Sequence, residues 1–220
     1  QAINLCRPLL EAGKDLFYIG FSSGLSGTFQ SVRSALEELK SEFPERIILY
    51  EDTLTASAGY GEMMCVVVDR MRNEGKDIYE CHEFVKDRKK RIHAWVTVDD
   101  LFHLQRGGRL SAPAAFFGSL LKVKPIIILD EMGKLKPHSK IRGRGKALDF
   151  LIERAKEEIR DKSEAYIIYS ACIDDANYMA DRVRTECGVK HVGLVHLEPV
   201  IGTHTGPGTC AVFFIGDPIR

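Results

Sequence analysis

Residues 15–40 read DLFYIGFSSGLSGTFQSVRSALEELK and contain an apolar run, a cluster of serine and glycine, and an amphipathic run. In the amphipathic run the apolar side chains recur every three or four residues, which is typical of a helix with one buried face. The stretch therefore predicts a strand, a tight turn and a helix. A second aliphatic run, residues 46–50, is typical of a strand covered on both faces. Strands that alternate with helices in this way indicate an α/β fold with parallel strand pairing.

The pattern changes near residue 92. Before that point a long apolar helix is predicted over residues 57–74, and Gly75 follows it where helices often end in a left-handed glycine. After it, residues 94–98 predict a strand, and a polar connector interrupted by glycine follows at residues 101–109. We therefore expect two α/β domains, an N-terminal one over residues 1–91 and a C-terminal one over residues 92–220.

Three segments of the second domain carry specific expectations. Residues 124–129 and 134–140 predict a β-hairpin, because the turn-forming residues DEMG at 130–133 separate two strand-like runs. Residues 101–109 are polar and interrupted by glycine, and they are expected to form a connector. Residues 113–121 are expected to form a short apolar helix.

Composition excludes several classes of protein. The 220 residues are 45% hydrophobic and 28% charged, and no apolar run approaches the length of a membrane span. Thirty-one basic side chains balance 31 acidic ones, so there is no net field to attract nucleic acid, and none is expected as a partner. Six scattered cysteines form no CxxC pair, and no leader-like segment begins the chain. A cytoplasmic protein without a metal site is expected.

The serine-rich turn over residues 20–28 is the first candidate site. It lies where a predicted strand meets a predicted helix, and there free backbone N–H groups and the positive end of the helix dipole favour a carboxylate or a phosphate. Hydroxyl donors are added by Ser22, Ser23, Ser26 and Thr28. The alternative is structural: Ser26 or Thr28 caps the helix, and the glycines only form the turn.

The same turn also matches the G-x-S-x-G pattern of a nucleophile elbow, which predicts Ser22 as the nucleophile of a serine hydrolase acting on acyl esters. Asp130 and His204 follow in the chain order that such a triad requires. No HGGG-type oxyanion segment occurs in the sequence. The hydrolase remains the alternative hypothesis.

Residues 199–209, PVIGTHTGPGT, form the second candidate site. We expect them to be a glycine-rich loop between two strands, with His204 as a donor that can be charged near neutral pH. The alternative is a plain connecting turn. A lone histidine flanked by threonines does not make a zinc site. The basic segment at 140–146, KIRGRGK, lacks the spacing of a phosphate-binding loop, which disfavours ATP binding by this chain.

Five segments together resemble the DegV family, the bacterial fatty-acid-binding proteins that include the binding subunit of fatty acid kinase. The segments are FSSGLSGTFQS (21–31), DTLTASAGYG (52–61), LFHLQRGGRLS (101–111), LKVKPIIILDEMGKLKPHSKIRGRGKAL (121–148) and IGTHTGPGTCAVFF (201–214). The resemblance covers nearly the whole chain.

The resemblance implies two α/β domains with a long-chain fatty acid buried between them. Its carboxylate would be held by serine hydroxyls and the histidine, with Ser23 the leading candidate, and its tail by an apolar tunnel. The residues carried over are Ser22, Ser23, Gly24, Ser26, Gly27, Thr28, His204 and Thr205. No cofactor and no catalytic residue are implied, because the family binds and carries its ligand.

The resemblance also implies a partner. A separate ATP-binding fatty acid kinase subunit would phosphorylate the bound carboxyl group, and Arg142 would contribute to docking with that subunit. Transient contact with a membrane surface is compatible with such a carrier. The family's TSQPS-like motif has no match here; since the chain starts at Gln1 inside a predicted helix, that motif is expected in residues missing upstream.

Overall fold

The computed structural model describes residues 1–110 and 122–219, and it shows the mixed α/β fold that the sequence predicts. In chain order the elements are α1 (Ala2–Glu11), β1 (Leu16–Gly20), α2 (Thr28–Glu42), β2 (Ile48–Asp52), α3 (Ser57–Asn73), α4 (Ile78–Arg88), β3 (Ile92–Thr97), α5 (Phe102–Arg106), β4 (Val123–Leu129), β5 (Leu135–Arg142), α6 (Arg144–Glu158), β6 (Glu164–Ser170), α7 (Ile173–Cys187), β7 (His191–His196), α8 (Pro199–Thr205) and β8 (Thr209–Ile215). They divide into two compact units. The first contains Gln1–Ala56 and Tyr60–Lys89, and the second contains the rest of the described chain.

In the first unit β1 and β2 pair in parallel, as predicted for this stretch. Leu36 and Leu39 from one face of α2 pack with Ile48 and with Leu10 of α1 in a small apolar core. Burial of that face packs α2 against the strand pair. In water, packing of this kind contributes most of the stability of a short helix. The register sets Gly20 opposite Asp52, so both strands end at the same edge. The serine-rich turn begins at this edge.

The second unit is built on a six-stranded sheet with the order β5-β4-β3-β8-β6-β7. Among the described strands of this sheet, β6 and β7 pair in parallel, and the other pairs are antiparallel. Strand β8 is central, and its apolar sequence TCAVFFI is buried along almost its whole length. The pairing of β4 with β5 confirms the predicted hairpin, with the N–H of Asp130 donating to the carbonyl of Lys134 across the turn (2.9 Å).

Helices α6 and α7 pack against each other and against the sheet. Their buried faces carry Leu151, Ile152, Met179 and Val183, which belong to the main apolar cluster of the unit. This packing positions the first turn of α7 beside the start of β8, because β6 leads directly into α7 and pairs with β8.

Two expectations about loops are wrong. The predicted connector at 101–109 contains helix α5, which is anchored by Leu101 and Leu104, both buried. The predicted loop at 199–209 contains helix α8, which starts at Pro199 because the fixed φ of proline suits the first position of a helix. The helix expected over residues 113–121 lies outside the described residues.

No helix within residues 1–110 and 122–219 combines the length and the hydropathy of a membrane span.

Candidate functional site

Ser22 organises the serine-rich turn. Its side chain is fully buried, and its hydroxyl oxygen accepts the N–H of Gly24 (3.1 Å). Its carbonyl accepts the N–H groups of Leu25 and Ser26 (both 3.1 Å), and its own N–H donates to the carbonyl of Thr55 (3.0 Å). These bonds fix the backbone between β1 and α2.

Asp52 is the residue at this turn that the sequence analysis missed. Both of its carboxylate oxygens accept the N–H of Ser23 (3.2 and 3.3 Å), and one also accepts the N–H of Leu54 (3.0 Å). The expectation that this junction offers free backbone N–H groups is therefore wrong for residues 22–26. The N–H groups of residues 22–26 are all used inside the protein. A ligand carboxylate would be met here by hydroxyl groups.

The N-terminus of α2 adds a second kind of donor. Its N-cap residue is Gly27, which has no side chain to cap the helix, so neither Ser26 nor Thr28 occupies the N-cap position. Instead the Ser26 hydroxyl accepts the N–H of Thr28 (3.2 Å) and shares a hydrogen bond with the Thr28 hydroxyl (2.9 Å). In a helix the next two N–H groups, here those of Phe29 and Gln30, have no carbonyl partner within the helix. They carry the positive end of the dipole.

A buried threonine lies directly behind the turn. The Oγ1 atom of Thr55 is buried, and the described residues place no hydrogen-bond partner within reach of it. A buried hydroxyl without a partner is rare in proteins. Leu54 beside it adopts a left-handed backbone (φ 54°), which is uncommon outside glycine and often marks a functional segment. We therefore add Thr55 to the candidate residues. The signal that could have identified this segment is its position directly after β2, at the edge where β1 also ends.

Tyr60 supports the same turn from α3. Its hydroxyl donates to the carbonyl of Ile19 (3.2 Å), and its ring contacts the Phe21 ring edge-on at 6.2 Å between centroids. Burial raises the pKa of the Tyr60 hydroxyl, so it stays protonated and acts as a donor.

In the second unit His204 lies in the last turn of α8, not in a loop as predicted. Helix α8 packs against α5, and the contact is reciprocal. A methyl group on Gly107, just after α5, would lie 2.5 Å from His204 Nδ1, and one on Gly206, just after α8, would overlap the ring of His103. The absence of side chains at the two glycines thus lets the His204 ring pack against Gly107 and the His103 ring pack against Gly206. This packing restricts the position of the His204 side chain.

The threonines around His204 are engaged within α8. The hydroxyl of Thr205 donates to the carbonyl of Ile201 (3.3 Å), and that of Thr203 donates to the carbonyl of Pro199 (2.8 Å). Both hydroxyl protons are therefore used in hydrogen bonds to carbonyl groups of the α8 backbone. His204 is left as the polar side chain of α8 suited to an anion.

The structure gives one residue of the hydrolase alternative a role in a turn. The carboxylate of Asp130 accepts the N–H groups of Met132 and Lys134 (both 2.9 Å) and thereby shapes the turn of the β4–β5 hairpin. Arg142, the expected docking residue, is exposed at the end of β5. Among the described residues, no group of three or more His, Cys, Asp or Glu side chains is arranged to hold a metal ion.

Comparison with known proteins relates the chain to one family. A family model described as "Uncharacterised protein, DegV family" matches residues 1–217. The DegV domain-containing protein of Clostridium perfringens is 38% identical over 210 residues, which cover 94% of this chain and 72% of that protein.

Solved structures agree with the match in sequence. The fatty-acid-binding DegV family protein of Streptococcus agalactiae is 29% identical, with a TM-score of 0.84 over 98% of this chain and 75% of that one. The fatty acid kinase B3 protein of Streptococcus pneumoniae, solved with linoleic acid, shares the fold at 16% identity, with a TM-score of 0.87 over 99% of this chain and 76% of that one.

Proposed function

The chain belongs to the DegV family, and from that membership we propose that it binds a long-chain fatty acid through Ser22, Ser23 and His204. The observation that carries the proposal is the likeness, at 29% identity and over 98% of this chain, to a protein described as fatty-acid-binding. The two candidate sites supply the chemistry that such a ligand needs.

The carboxylate is the demanding part of the ligand. A charge taken out of water without partners is very costly, so several donors must replace its hydration. The Ser23 hydroxyl, the imidazole of His204 and the N-terminus of α2 are donors of this kind, with the paired hydroxyls of Ser26 and Thr28 beside them. Each hydrogen bond to a charged group contributes about 1.5–3 kcal/mol.

The hydrocarbon tail provides most of the affinity. Each methylene removed from water contributes about 0.8 kcal/mol, so a long tail outweighs the head group in total binding free energy. The head group then decides the orientation of the ligand. A protein of this design binds and carries, and no residue of the chain needs to act as a catalyst.

Extraction of the purified protein tests the proposal directly. We expect organic solvent to release a long-chain fatty acid in about equimolar amount, identified by mass spectrometry, and we expect the delipidated protein to rebind added oleate. A serine-directed fluorophosphonate is the matched probe for the hydrolase, and it should leave Ser22 unlabelled. Recovery of no fatty acid together with no oleate binding would reject the carrier, and labelling of Ser22 would favour the hydrolase.

The finer part of the proposal is the partner. We propose that a separate ATP-binding fatty acid kinase subunit phosphorylates the bound carboxyl group, with Arg142 at the docking surface. The support is the family resemblance of the KIRGRGKAL segment and the exposed position of Arg142 on β5.

The six cysteines are all free thiols, which suits a reducing compartment, so the proposal assigns the carrier to the cytoplasm.

Arg142→Glu tests the docking residue. Charge reversal at an interface places like charges together, so we expect acyl-phosphate formation by the kinase subunit at limiting concentration to fall at least about ten-fold. Fatty-acid affinity, measured without the kinase, should not change. Lys136→Glu on the same strand is the control, because Lys136 is also exposed and carries the same charge. Equal loss in both variants would reject a specific role for Arg142.

A further inference from the structure

Two cysteines that the proposed function does not use lie together in the second unit. Cys172 is the N-cap of α7, and its thiol donates to the carbonyl of Thr209 (3.1 Å), the residue directly before Cys210. The pairing of β6 with β8 brings Cys172 close to the start of β8, because Tyr169 lies opposite Cys210 in their register. The segment after β6 therefore turns back over the start of β8.

The turn between β6 and α7 is strained where it delivers Cys172. Ala171 adopts a left-handed backbone (φ 54°), which costs free energy in a residue with a side chain. Cys172 itself is half-buried, whereas Cys210 is fully buried with its sulfur 3.3 Å from the sulfur of Met179. One thiol of the pair is thus accessible and the other is enclosed in the core.

A cavity gives solvent access to the accessible thiol. It has a volume of about 450 Å³ and opens at the first turn of α7. The lining residues are Tyr169, Ala171, Cys172, Ile173, Asp174, Asp175 and His196. A small oxidant fits this space, and Cys172 is the only sulfur among the residues that line it.

The electrostatic surroundings separate the two thiols. Contact with the Cys210 thiol, followed by a backbone hydrogen bond and the charge of Arg144, lowers the pKa of Cys172 to about 7 against the opposing effect of burial. The same contact, together with burial, raises the pKa of Cys210. The carboxylate of Asp175, which forms an ion pair with Arg144 (2.7 Å), acts in the opposite direction and raises the pKa of Cys172. The pKa of Cys172 therefore lies below that of Cys210, so Cys172 is the thiol of the pair that loses its proton first.

We propose that Cys172 is a peroxide-reactive thiol and that Cys210 is its resolving partner, so that the pair forms a reversible disulfide. The Cys172 thiolate attacks one oxygen of a hydroperoxide, and the O–O bond breaks. Sulfur is oxidised to a sulfenic acid, while the leaving oxygen takes a proton from solvent and departs as water or an alcohol. The Cys210 thiol then attacks the sulfenic sulfur, the S–O bond breaks, and the proton of Cys210 leaves with the hydroxide as water.

The disulfide would tie the first turn of α7 to the first residues of β8. Strand β8 directly follows the helix that carries His204. Oxidation thus constrains the backbone next to one of the two candidate fatty-acid sites, whatever ligand that site binds.

Peptide mapping after peroxide treatment tests the inference. We expect dilute hydrogen peroxide to give a cross-linked peptide containing Cys172 and Cys210, with the mass of two hydrogens lost, and dithiothreitol to reverse it. Cys172→Ser should abolish the cross-link completely. Cys65→Ser should keep it, and this control removes a thiol that is more exposed than Cys172.

Cys210→Ala separates the two chemical steps. Without the resolving thiol the sulfenic acid should persist at Cys172 and be trapped by dimedone. If the variant with alanine at this buried position does not fold, peptide mapping of the unsubstituted chain still shows whether Cys172 and Cys210 form the disulfide. Oxidation confined to other cysteines, or a cross-link from Cys172 to any cysteine but Cys210, would overturn the proposal.

Discussion

Delipidated protein with both Ser23→Ala and His204→Ala is expected to bind a long-chain fatty acid at least about 100-fold more weakly than the unsubstituted chain. Two hydrogen bonds to a charged group contribute about 3–6 kcal/mol together, and each 1.4 kcal/mol is a ten-fold change in Kd. Displacement of a fluorescent fatty-acid probe measures the change. The free energy of unfolding should stay close to that of the unsubstituted protein, because Ser23 is exposed and His204 is only half-buried.

The matching fatty alcohol is the sharpest control for this variant. It has the same tail without the charge, so its affinity should fall by much less than that of the acid. The double variant Ser34→Ala with His191→Ala removes the same chemical groups from exposed positions of α2 and β7, and it should bind normally. Equal weakening for acid and alcohol would show that the double substitution damages the tail site, and the head-group assignment would be rejected.

Much of the fold is encoded in short-range patterns. The apolar run, the serine-glycine turn and the helical spacing over residues 15–40 predict β1, the turn and α2 correctly. The turn-forming residues at 130–133 likewise predict the β4–β5 hairpin. In each case one stretch of sequence contains both the apolar periodicity and the residues that end it, so distant parts of the chain are not needed.

The geometry of the serine-rich turn depends on distant residues, which local sequence patterns do not reveal. Ser22 and Ser23 stand out in the sequence, but the use of the Ser23 N–H by Asp52 joins positions 29 residues apart. No residue close to Ser23 in the sequence indicates that its N–H group donates to Asp52. Between residues 22 and 26 the turn therefore offers hydroxyl groups where the sequence suggested backbone donors, and the backbone donors that remain lie at the N-terminus of α2.

Helix α8 shows why glycine density misleads. Three glycines in PVIGTHTGPGT suggest a loop, yet Gly202 lies inside the helix and Gly206 ends it. A glycine is tolerated in a helix at a cost of about 1 kcal/mol relative to alanine, so its presence weakens a helix without forbidding it. The packing of α8 against α5 supports the helix, and that contact joins segments about 100 residues apart.

Gly206→Ala is expected to lower the free energy of unfolding of the second unit by about 2–4 kcal/mol, through two effects. Gly206 has φ 79° and ψ 176°, a conformation that is essentially restricted to glycine. An added methyl group would also overlap the His103 ring. Urea denaturation followed by the fluorescence of Trp95 measures the loss, because this single tryptophan is buried in the same unit.

Gly202→Ala in the same helix is the matched control. A methyl group there meets no atom within 4 Å, so alanine should raise the free energy of unfolding by about 0.5–1 kcal/mol. His103→Ala then separates the two effects at Gly206. Removing the ring relieves the overlap but leaves the backbone strain, so the double variant Gly206→Ala with His103→Ala should be more stable than the sum of the single effects predicts. If the two changes in the free energy of unfolding are strictly additive, the His103 ring moves away from the added methyl group at no cost. The packing of the two imidazoles on the glycines would then not be what holds His204 in place.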